Sequence, residues 1–265
     1  MKKLWFIMVV VWAAISPSIC FAEENANIFN LEELTIQIMP EFAYHPNDQQ
    51  KENPPVLIGY HGYMVNNSDQ PQRGQIEIPL PMADEEVQIG YVADYSSDLK
   101  NVYELEYALD RKQGVITWTT SEEIQPQERY KFVIEFYSDA LTVQQAKKSL
   151  KYQFTSFADI GLLNVVVTKP DKAKNMRLTP EANDRSHADG ENTFSYLFQD
   201  VKAGDEKSFS LQYERSEEKP DLELMATEKI TKEKKWNNLA VGAFSGVSLL
   251  SASAIVILIK KRKKN

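Results

Sequence analysis

Short runs in which apolar and polar side chains alternate are the feature that most constrains this chain. They are rich in Val, Ile, Tyr, Phe and Thr, and a period of two places successive side chains on opposite faces of a β-strand. In the first half of the chain the pattern predicts strands at 35–38, 55–64, 76–80, 87–92, 103–109, 115–119 and 130–137. The alternation in the last run is imperfect, so we expect that strand to be apolar on both faces.

The second half of the chain carries further runs of the same kind, at 151–157, 162–168, 175–178, 193–198 and 207–213. Between the halves, residues 138–149 are polar and are interpreted as a linker or a short helical segment. Many short strands without a helical pattern between them favour an all-β, immunoglobulin-like β-sandwich. We expect two consecutive sandwiches, at 23–139 and 140–214, and the alternative is one elongated sandwich of about twelve strands.

The N-terminus has the pattern of a secretory signal peptide over residues 1–22. Two lysines follow the initiating Met, an uncharged apolar run comes next, and small residues precede the expected cleavage between Ala22 and Glu23. An uncleaved membrane anchor is the alternative. Lipidation of Cys20 is disfavoured because the residues before it lack the Leu and the small side chain that such sites require.

A second apolar segment, near the C-terminus, predicts a single transmembrane helix at 236–259. From Leu239 to Ile259 the chain has 21 residues without a charge. A helix of this length spans about 30 Å, which is the thickness of the hydrocarbon core of a bilayer. Trp236 stands at the outer edge of the segment, where indole rings favour the headgroup region.

The tail at 260–265 is predicted to act as a stop-transfer signal, because it is a basic cluster that includes Lys260, Lys261 and Arg262. The positive-inside rule places this tail in the cytoplasm and the main body outside it. A cleaved sorting signal would end in a similar way, but the LPxTG motif is absent from the sequence. Within the span, Gly242 and Gly246 have the spacing that allows close helix pairing, so they could support a homodimer.

Charge separates the body of the chain from its two ends. The net charge is −8, but the stretch between the basic ends holds all 38 acidic residues and 23 of the 30 basic ones. A surface this acidic argues against nucleic acid as a partner, because binding a polyphosphate needs a basic face. Residues 215–235 mix both signs equally and are predicted to form a charged juxtamembrane stalk that buries little.

Motifs for catalysis or cofactor binding are missing. The sequence contains no GxSxG, P-loop, GxGxxG or HExxH pattern, and its one Cys lies in the predicted signal peptide. The three histidines, His45, His61 and His187, fall on different predicted elements, so neither a metal site nor a cofactor is expected. His61 is interpreted as a strand histidine that shares a face with Gly59 and Tyr63. We therefore expect a protein that is not an enzyme.

Aromatic residues of the first predicted sandwich are the one positive indication of a binding surface. An exposed patch of Tyr and Trp suits a sugar or a partner protein, although half or more of such side chains are expected in the core. The candidate ligand-binding residues are Tyr60, Tyr63, Tyr91, Tyr95 and Trp118.

The order of leader, β-rich body, charged stalk, single helix and basic tail resembles the type I membrane-anchored exported proteins of bacteria. The resemblance is one of architecture, and no family motif carries it. It implies a cell-surface protein whose acidic body binds a protein or glycan partner outside the cell. The alternative is an accessory subunit of a membrane protein complex that contacts the complex through its C-terminal helix.

We predict that intact cells expose the body to added protease while a C-terminal tag stays protected. The membrane-retained protein should begin at Glu23, because the leader peptidase is expected to cut after Ala22. Protease treatment followed by N-terminal sequencing checks both points. A shielded body, or a chain that still begins at Met1, would contradict the type I topology.

Overall fold

The computed structural model describes residues 29–48, 51–82, 87–186 and 192–227. The predicted signal peptide, transmembrane span and cytoplasmic tail lie outside these ranges, as do Gly242, Gly246 and the part of the predicted stalk from residue 228. Within the described ranges, no helix is long and apolar enough to cross a membrane.

The described part of the chain is mostly β-sheet, as the alternating runs predict. Its strands are β1 (Phe29–Pro40), β2 (Val56–Asn66), β3 (Gln75–Pro79), β4 (Val87–Tyr95), β5 (Val102–Glu104), β6 (Tyr107–Asp110), β7 (Val115–Thr119), β8 (Arg129–Ser138), β9 (Thr142–Gln144), β10 (Lys147–Thr155), β11 (Ile160–Thr168), β12 (Lys174–Thr179), β13 (Asp184–Ser186), β14 (Thr193–Val201) and β15 (Glu206–Glu214). Residues 221–227 are helical.

Most strand boundaries follow the sequence pattern to within a few residues. The run at 115–119 coincides with β7. The run at 103–109 is an exception, because it divides into β5 and β6. Between these two strands, the backbone N–H of Leu105 donates to the carbonyl of Val92 at 2.9 Å, and the chain then leaves one sheet for another.

The join at 138–149 forms β9 and the start of β10 rather than a linker or a helical segment. The two strands pair as a hairpin in which Gln144 lies opposite Lys147. Gln145 reverses the chain with a φ of 56°, in the left-handed region. Sequence reasoning missed this turn because Gln and Ala are not among the residues that usually mark one.

Eight strands form the main sheet, in the order β13-β14-β11-β1-β2-β8-β4-β5. Neighbouring strands are antiparallel except β1 and β11, which run parallel. At the centre, Ile36 of β1 lies opposite Tyr60 of β2 and Val165 of β11. A four-stranded sheet (β12-β15-β10-β9) and a three-stranded sheet (β3-β7-β6) contain the other described strands.

The main sheet takes strands from both halves of the chain. β1, β2, β4, β5 and β8 precede the expected domain boundary at 139/140, and β11, β13 and β14 follow it. The pairing of β1 with β11 joins the two groups in one hydrogen-bonded sheet. The stretches that were expected to form two consecutive sandwiches therefore share their largest sheet.

Both smaller sheets cover the same face of the main sheet, which we call the inner face. Tyr60 and Ile134 lie opposite each other on this face, and Phe132 is two residues from Ile134 on the same side of β8. The Tyr60 hydroxyl lies 2.8 Å from the Tyr152 hydroxyl of β10. Trp118 of β7 packs on Phe132 with ring centroids 5.5 Å apart. Each smaller sheet thus covers its own part of the inner face.

One continuous apolar core results from this layering. It contains residues of the inner face and of both covering sheets, and aromatic pairs join the layers. In the part under the four-stranded sheet, Tyr196 and Phe209 have ring centroids 4.8 Å apart. The largest fully buried apolar side chains of the described residues include Trp118, Tyr60, Tyr196, Phe132 and Phe136.

We predict that Gly62→Ala destabilises the fold, because the added methyl group has no room. A Cβ atom at Gly62 would lie 2.2 Å from two ring carbons of Phe132, which is fully buried. Overpacking of this kind costs about 1–3 kcal/mol. Chemical denaturation of the full chain measures this loss in the free energy of unfolding.

Gly74→Ala is the matched control, because a Cβ atom there meets no other atom within 4 Å. We expect its free energy of unfolding to change by less than about 1 kcal/mol. Equal destabilisation by the two substitutions would contradict the packing of Phe132 across Gly62.

Candidate functional site

The opposite side of the main sheet, which we call the outer face, carries the candidate site. Cross-strand register sets Gln37, Gly59, Glu135 and Tyr91 side by side across β1, β2, β8 and β4. Residues two positions along each strand share the same face, so the next row contains Thr35, His61, Val133 and Ala93.

Tyrosines and cations of the outer face stack on one another. The guanidinium carbon of Arg129 lies 4.4 Å from the ring centroid of Tyr63, and Lys131 Nζ lies 4.0 Å from that of Tyr95. Arg129 also pairs with two carboxylates of β1, at 3.0 Å from Glu32 and 2.8 Å from Glu33. Cation–π contacts of this kind hold the rings in place on the sheet.

The structure separates the candidate binding residues into two groups. Tyr63, Tyr91 and Tyr95 lie on the outer face and are half-buried. Tyr60 and Trp118 are each 2% exposed and belong to the core, where the Trp118 indole N–H donates to the Tyr130 hydroxyl at 2.8 Å. The outer face therefore brings three of the five candidates to one surface, and the other two are structural.

Glu135 is an outer-face residue that sequence reasoning missed. It is 3% exposed, and within the described residues its carboxylate accepts no hydrogen bond and forms no ion pair. Burial raises the pKa of the Glu135 carboxyl from its ordinary value of 4.5 to about 7. The signal available in the sequence was a single acidic residue inside the run 132–137, which is otherwise apolar.

His61 shares the outer face with Gly59 and Tyr63, as the sequence predicts. Its imidazole lies over Gly59, where a Cβ atom would be 3.1 Å from His61 Nε2. Burial, with a smaller contribution from the charge of Lys131, lowers the pKa of His61 to about 4. The imidazole is therefore neutral at physiological pH and can act as a hydrogen-bond partner but not as a cation.

The histidines do not form a metal centre in the described part of the chain. His45 Nε2 lies 3.1 Å from the carbonyl oxygen of Ile89, and His187 falls in the undescribed gap at 187–191. In the ranges that the structure describes, no group of three or more His, Cys, Asp or Glu side chains could hold a metal ion.

One end of the outer face is covered by residues that follow β1 and by the helical segment. Leu57 and Tyr137 form a second apolar cluster there with Met39, Phe42 and Ala43, and Leu222 packs against it. The rows that contain Glu135 and His61 lie next to this covered end. The candidate site is thus bounded on one side by this second apolar cluster, which we call the packed rim.

Below this rim lies a buried charge cluster formed by Glu41, Lys148, Tyr213, Arg215 and Asp221. The Glu41 carboxylate forms an ion pair with Lys148 and accepts from the Tyr213 hydroxyl at 2.6 Å and from Arg215 Nη1 at 3.0 Å. Arg215 Nη2 donates to Asp221 at 2.8 Å. Because each charge has opposite-charge partners and hydrogen bonds, the cluster offsets much of the cost of burying them.

This cluster alters the description of the predicted stalk at 215–235. Arg215 and Asp221 are 2% and 3% exposed, and the backbone N–H of Leu222 donates to the carbonyl of Phe42 at 2.9 Å. Burial raises the pKa of Asp221 to about 6. The first part of the segment is therefore packed on the body, although its composition indicated a solvated chain.

A polar groove on the four-stranded sheet is the other concave surface. It has a volume of about 540 Å³. Its floor is the side of the sheet that faces away from the core, so the lining consists of polar and charged side chains. The lining residues include Thr142, Gln144, Lys147, Asn175, Arg177 and Gln212. No buried unpaired group points into this groove among the described residues, so it is a weaker candidate than the outer face.

No family model and no curated protein matches the sequence. Among solved structures, the chain is similar to a presumed nutrient-binding protein from Legionella pneumophila, at 14% identity and a TM-score of 0.42 over 69% of this chain and 67% of that one. A presumed protease from Parabacteroides distasonis shares 7% identity at a TM-score of 0.36, over 71% of this chain and 40% of that one.

The M1 zinc metallopeptidase from Deinococcus radiodurans shares 8% identity at a TM-score of 0.41, over 71% of this chain and 42% of that one. The chain therefore spans less than half the length of the two peptidase-related structures. At these values none of the likenesses transfers a site or an activity to this chain.

We predict that Glu135→Gln stabilises the protein at pH 8 and has little effect at pH 4. The carboxyl titrates near 4.5 when unfolded and at about 7 when folded. Between these values the unfolded chain loses a proton that the folded chain retains, so the cost of burying the group grows with pH and is complete above pH 7. The difference corresponds to about 3 kcal/mol.

Denaturation of both proteins across this pH range measures the effect. Glu206→Gln, at an exposed position of β15, removes the same charge without a burial term and should show no such slope. A pH-independent difference between wild type and Glu135→Gln would contradict the buried, unpaired state of Glu135.

Proposed function

We propose that this chain is a non-enzymatic, exported, single-pass membrane protein of the bacterial cell surface. Its acidic β-rich body would bind a protein or glycan partner outside the cell through the outer face of the main sheet. The observation that carries the proposal is the grouping of Tyr63, Tyr91 and Tyr95 on one half-buried face that is bounded by a packed rim.

The scaffold that presents this face is proposed to be a β-sandwich. One large sheet would form one layer, and the four-stranded and three-stranded sheets would form the other. Support comes from the contacts of both smaller sheets with the inner face, through Tyr152 on Tyr60 and Trp118 on Phe132. A site built on the strands of a packed sheet is held more rigidly than one built on loops.

The contacts on the tyrosines favour a protein partner over a glycan. A sugar ring stacks on a free aromatic face, but Arg129 and Lys131 already lie over Tyr63 and Tyr95. Tyr and Arg together are the residues that are enriched where protein partners bind tightly. The glycan alternative stays open at Tyr91, for which no such cation contact occurs among the described residues.

We predict that a full-length, C-terminally tagged chain captures a partner from its own membrane extract, and that Tyr63→Ser, Tyr91→Ser and Tyr95→Ser together abolish the capture. Loss of three aromatic contacts in one interface should weaken binding by at least about 30-fold. Quantitative pull-down compares the wild type with the triple variant, after circular dichroism has shown that both proteins are folded.

Tyr107→Ser is the control, because Tyr107 is 44% exposed on β6, in the three-stranded sheet. It should leave the captured partner unchanged. Retention of the partner by the triple variant, or equal loss in the Tyr107 variant, would contradict a binding role for the outer face.

An accessory-subunit function is the second candidate, and the buried charge cluster favours it. Arg215 and Asp221 tie the chain that leads toward the predicted membrane helix firmly to the body. Such an attachment suits a subunit that must sit in a fixed orientation over a membrane complex. Exchange of residues 239–259 for a polyleucine span separates the two functions, because only the accessory subunit should lose activity.

A further inference from the structure

Glu135 is the one carboxyl group of the outer face that is buried without a hydrogen bond or ion pair in the described residues. A carboxylate in this state carries a large desolvation cost, and proteins usually offset that cost with an ion pair or hydrogen bonds. Two other buried carboxylates of the described residues follow this rule, since Glu41 has three partners and Asp221 has two. The exception therefore points to a partner that the described residues do not supply.

The Glu135 carboxylate keeps a narrow contact with solvent. Four side-chain atoms of the described residues are both sealed from solvent and unpaired, and they belong to Asp94, Ser121, Asn164 and Thr168. The oxygens of Glu135 are unpaired but are not among the sealed atoms, so they keep a small solvent-accessible area on the outer face.

The neighbours of Glu135 across the sheet are a glycine on one side and an aromatic ring on the other. Gly59, directly across on β2, has no side chain of its own, and the imidazole of His61 lies over it. Tyr91 lies directly across on β4. Of the three half-buried tyrosines of the outer face, Tyr63 and Tyr95 each have a cation over the ring, whereas Tyr91 has none among the described residues. Among these three rings, the one without a cation is thus the one beside the carboxylate without a counter-ion.

We propose that Glu135 and Tyr91 form a binding site for an organic cation, namely the ammonium or guanidinium group of a basic side chain of a protein partner. This inference rests on the proposed function and names the chemistry of the same surface. A carboxylate beside an aromatic ring provides an ion pair and a cation–π contact for one group. The excess of acidic residues in the body would also attract a basic partner at long range.

An inorganic cation fits this site less well than an organic one. Calcium takes six to eight oxygen ligands, and magnesium takes six in near-octahedral geometry. Glu135 is the only carboxylate in its cross-strand row, beside an amide, a glycine and a phenol. A single carboxylate beside an aromatic ring instead suits a Lys or Arg side chain.

The titratable groups around Glu135 make binding depend on pH. His61 on β2 is neutral above about pH 4, and Tyr91 on β4 and Tyr137 on β8 have pKa values raised by burial, so all three stay uncharged near neutrality. Lys131 on β8 is the nearby cation, Glu104 on β5 is a second carboxylate near Tyr91, and His45 contacts the far side through Tyr137. Cation binding should therefore follow the ionisation of Glu135 itself, whose pKa is about 7.

The test uses the purified full chain in detergent and three small probes: N-acetyl-lysine methylamide, its arginine counterpart, and the uncharged norleucine counterpart. Ligand-observed NMR titrations at pH 8 should give dissociation constants on the order of 1 mM for the charged probes. The norleucine probe should bind at least about tenfold more weakly. Lowering the pH to 6 should weaken lysine binding about tenfold, because a group with this pKa is then mostly protonated.

Glu135→Gln should abolish both the preference for the charged probes and its pH dependence, and Tyr91→Leu should reduce the affinity for them. Glu206→Gln is the matched charge control and should bind like wild type. Equal binding of lysine and norleucine probes, or unchanged lysine binding in Glu135→Gln, would overturn the proposal. Because Glu135→Gln removes a buried charge, it is expected to stay folded, and circular dichroism verifies this.

The probe experiment and the partner capture can fail separately. In one outcome, the triple tyrosine variant loses the partner, but probe binding does not depend on Glu135. This result would support the proposed function and contradict the cation site. Charge-selective probe binding that depends on Glu135, together with a partner retained by the triple tyrosine variant, would keep the cation site and remove the proposed interface.

Discussion

The parallel pairing of β1 with β11 is the contact on which the rest of the structure depends. It is the one parallel pair in the described sheets, and it joins residues 31–38 to residues 160–167. Without it, the strands before and after the midpoint of the chain would form separate sheets. With it, they share one inner face, one apolar core and one outer face.

This pairing is also costly to form, because the chain must close a loop that contains most of the other strands. Loop closure of this length loses conformational entropy before any distant contact compensates for it. The hairpin-like pairs β1–β2 and β10–β9 can form earlier, since their partners are close in sequence. The pairing of β1 with β11 therefore creates one continuous sheet surface, but this surface can form only after distant parts of the chain have come together.

The strand positions were predictable from the sequence, but the layers were not. Alternation with period two identifies runs such as 115–119 and 207–213, because side-chain burial in a sheet imposes that period locally. Pairing between distant strands leaves no comparable local signal. The predicted boundary at 139/140 therefore lies between β1 and β11, and the short strands β9 and β13 have no alternating run that would predict them.

The candidate site shows the same division between local and distant information. Tyr60 and Tyr63 are three residues apart on β2, so they must lie on opposite faces. The sequence could not say which face is covered, because the run around them is apolar on both sides. Glu135 and the buried charge cluster were missed for a related reason: an isolated acidic or basic residue looks solvated until its burial is known.

The buried charge cluster has a mechanical consequence. The chain at 221–222 is held to Glu41 and Phe42 by backbone hydrogen bonds of 3.0 and 2.9 Å, and Arg215 bridges Glu41 and Asp221 beneath them. A pulling force applied at residue 227 would act on these hydrogen bonds and on the buried charge cluster before it acted on any strand of the main sheet. Water-excluded ion pairs resist such a pull because separating them exposes unpaired charges in the interior. The body would therefore bear force as one rigid unit instead of unravelling strand by strand from its C-terminal side.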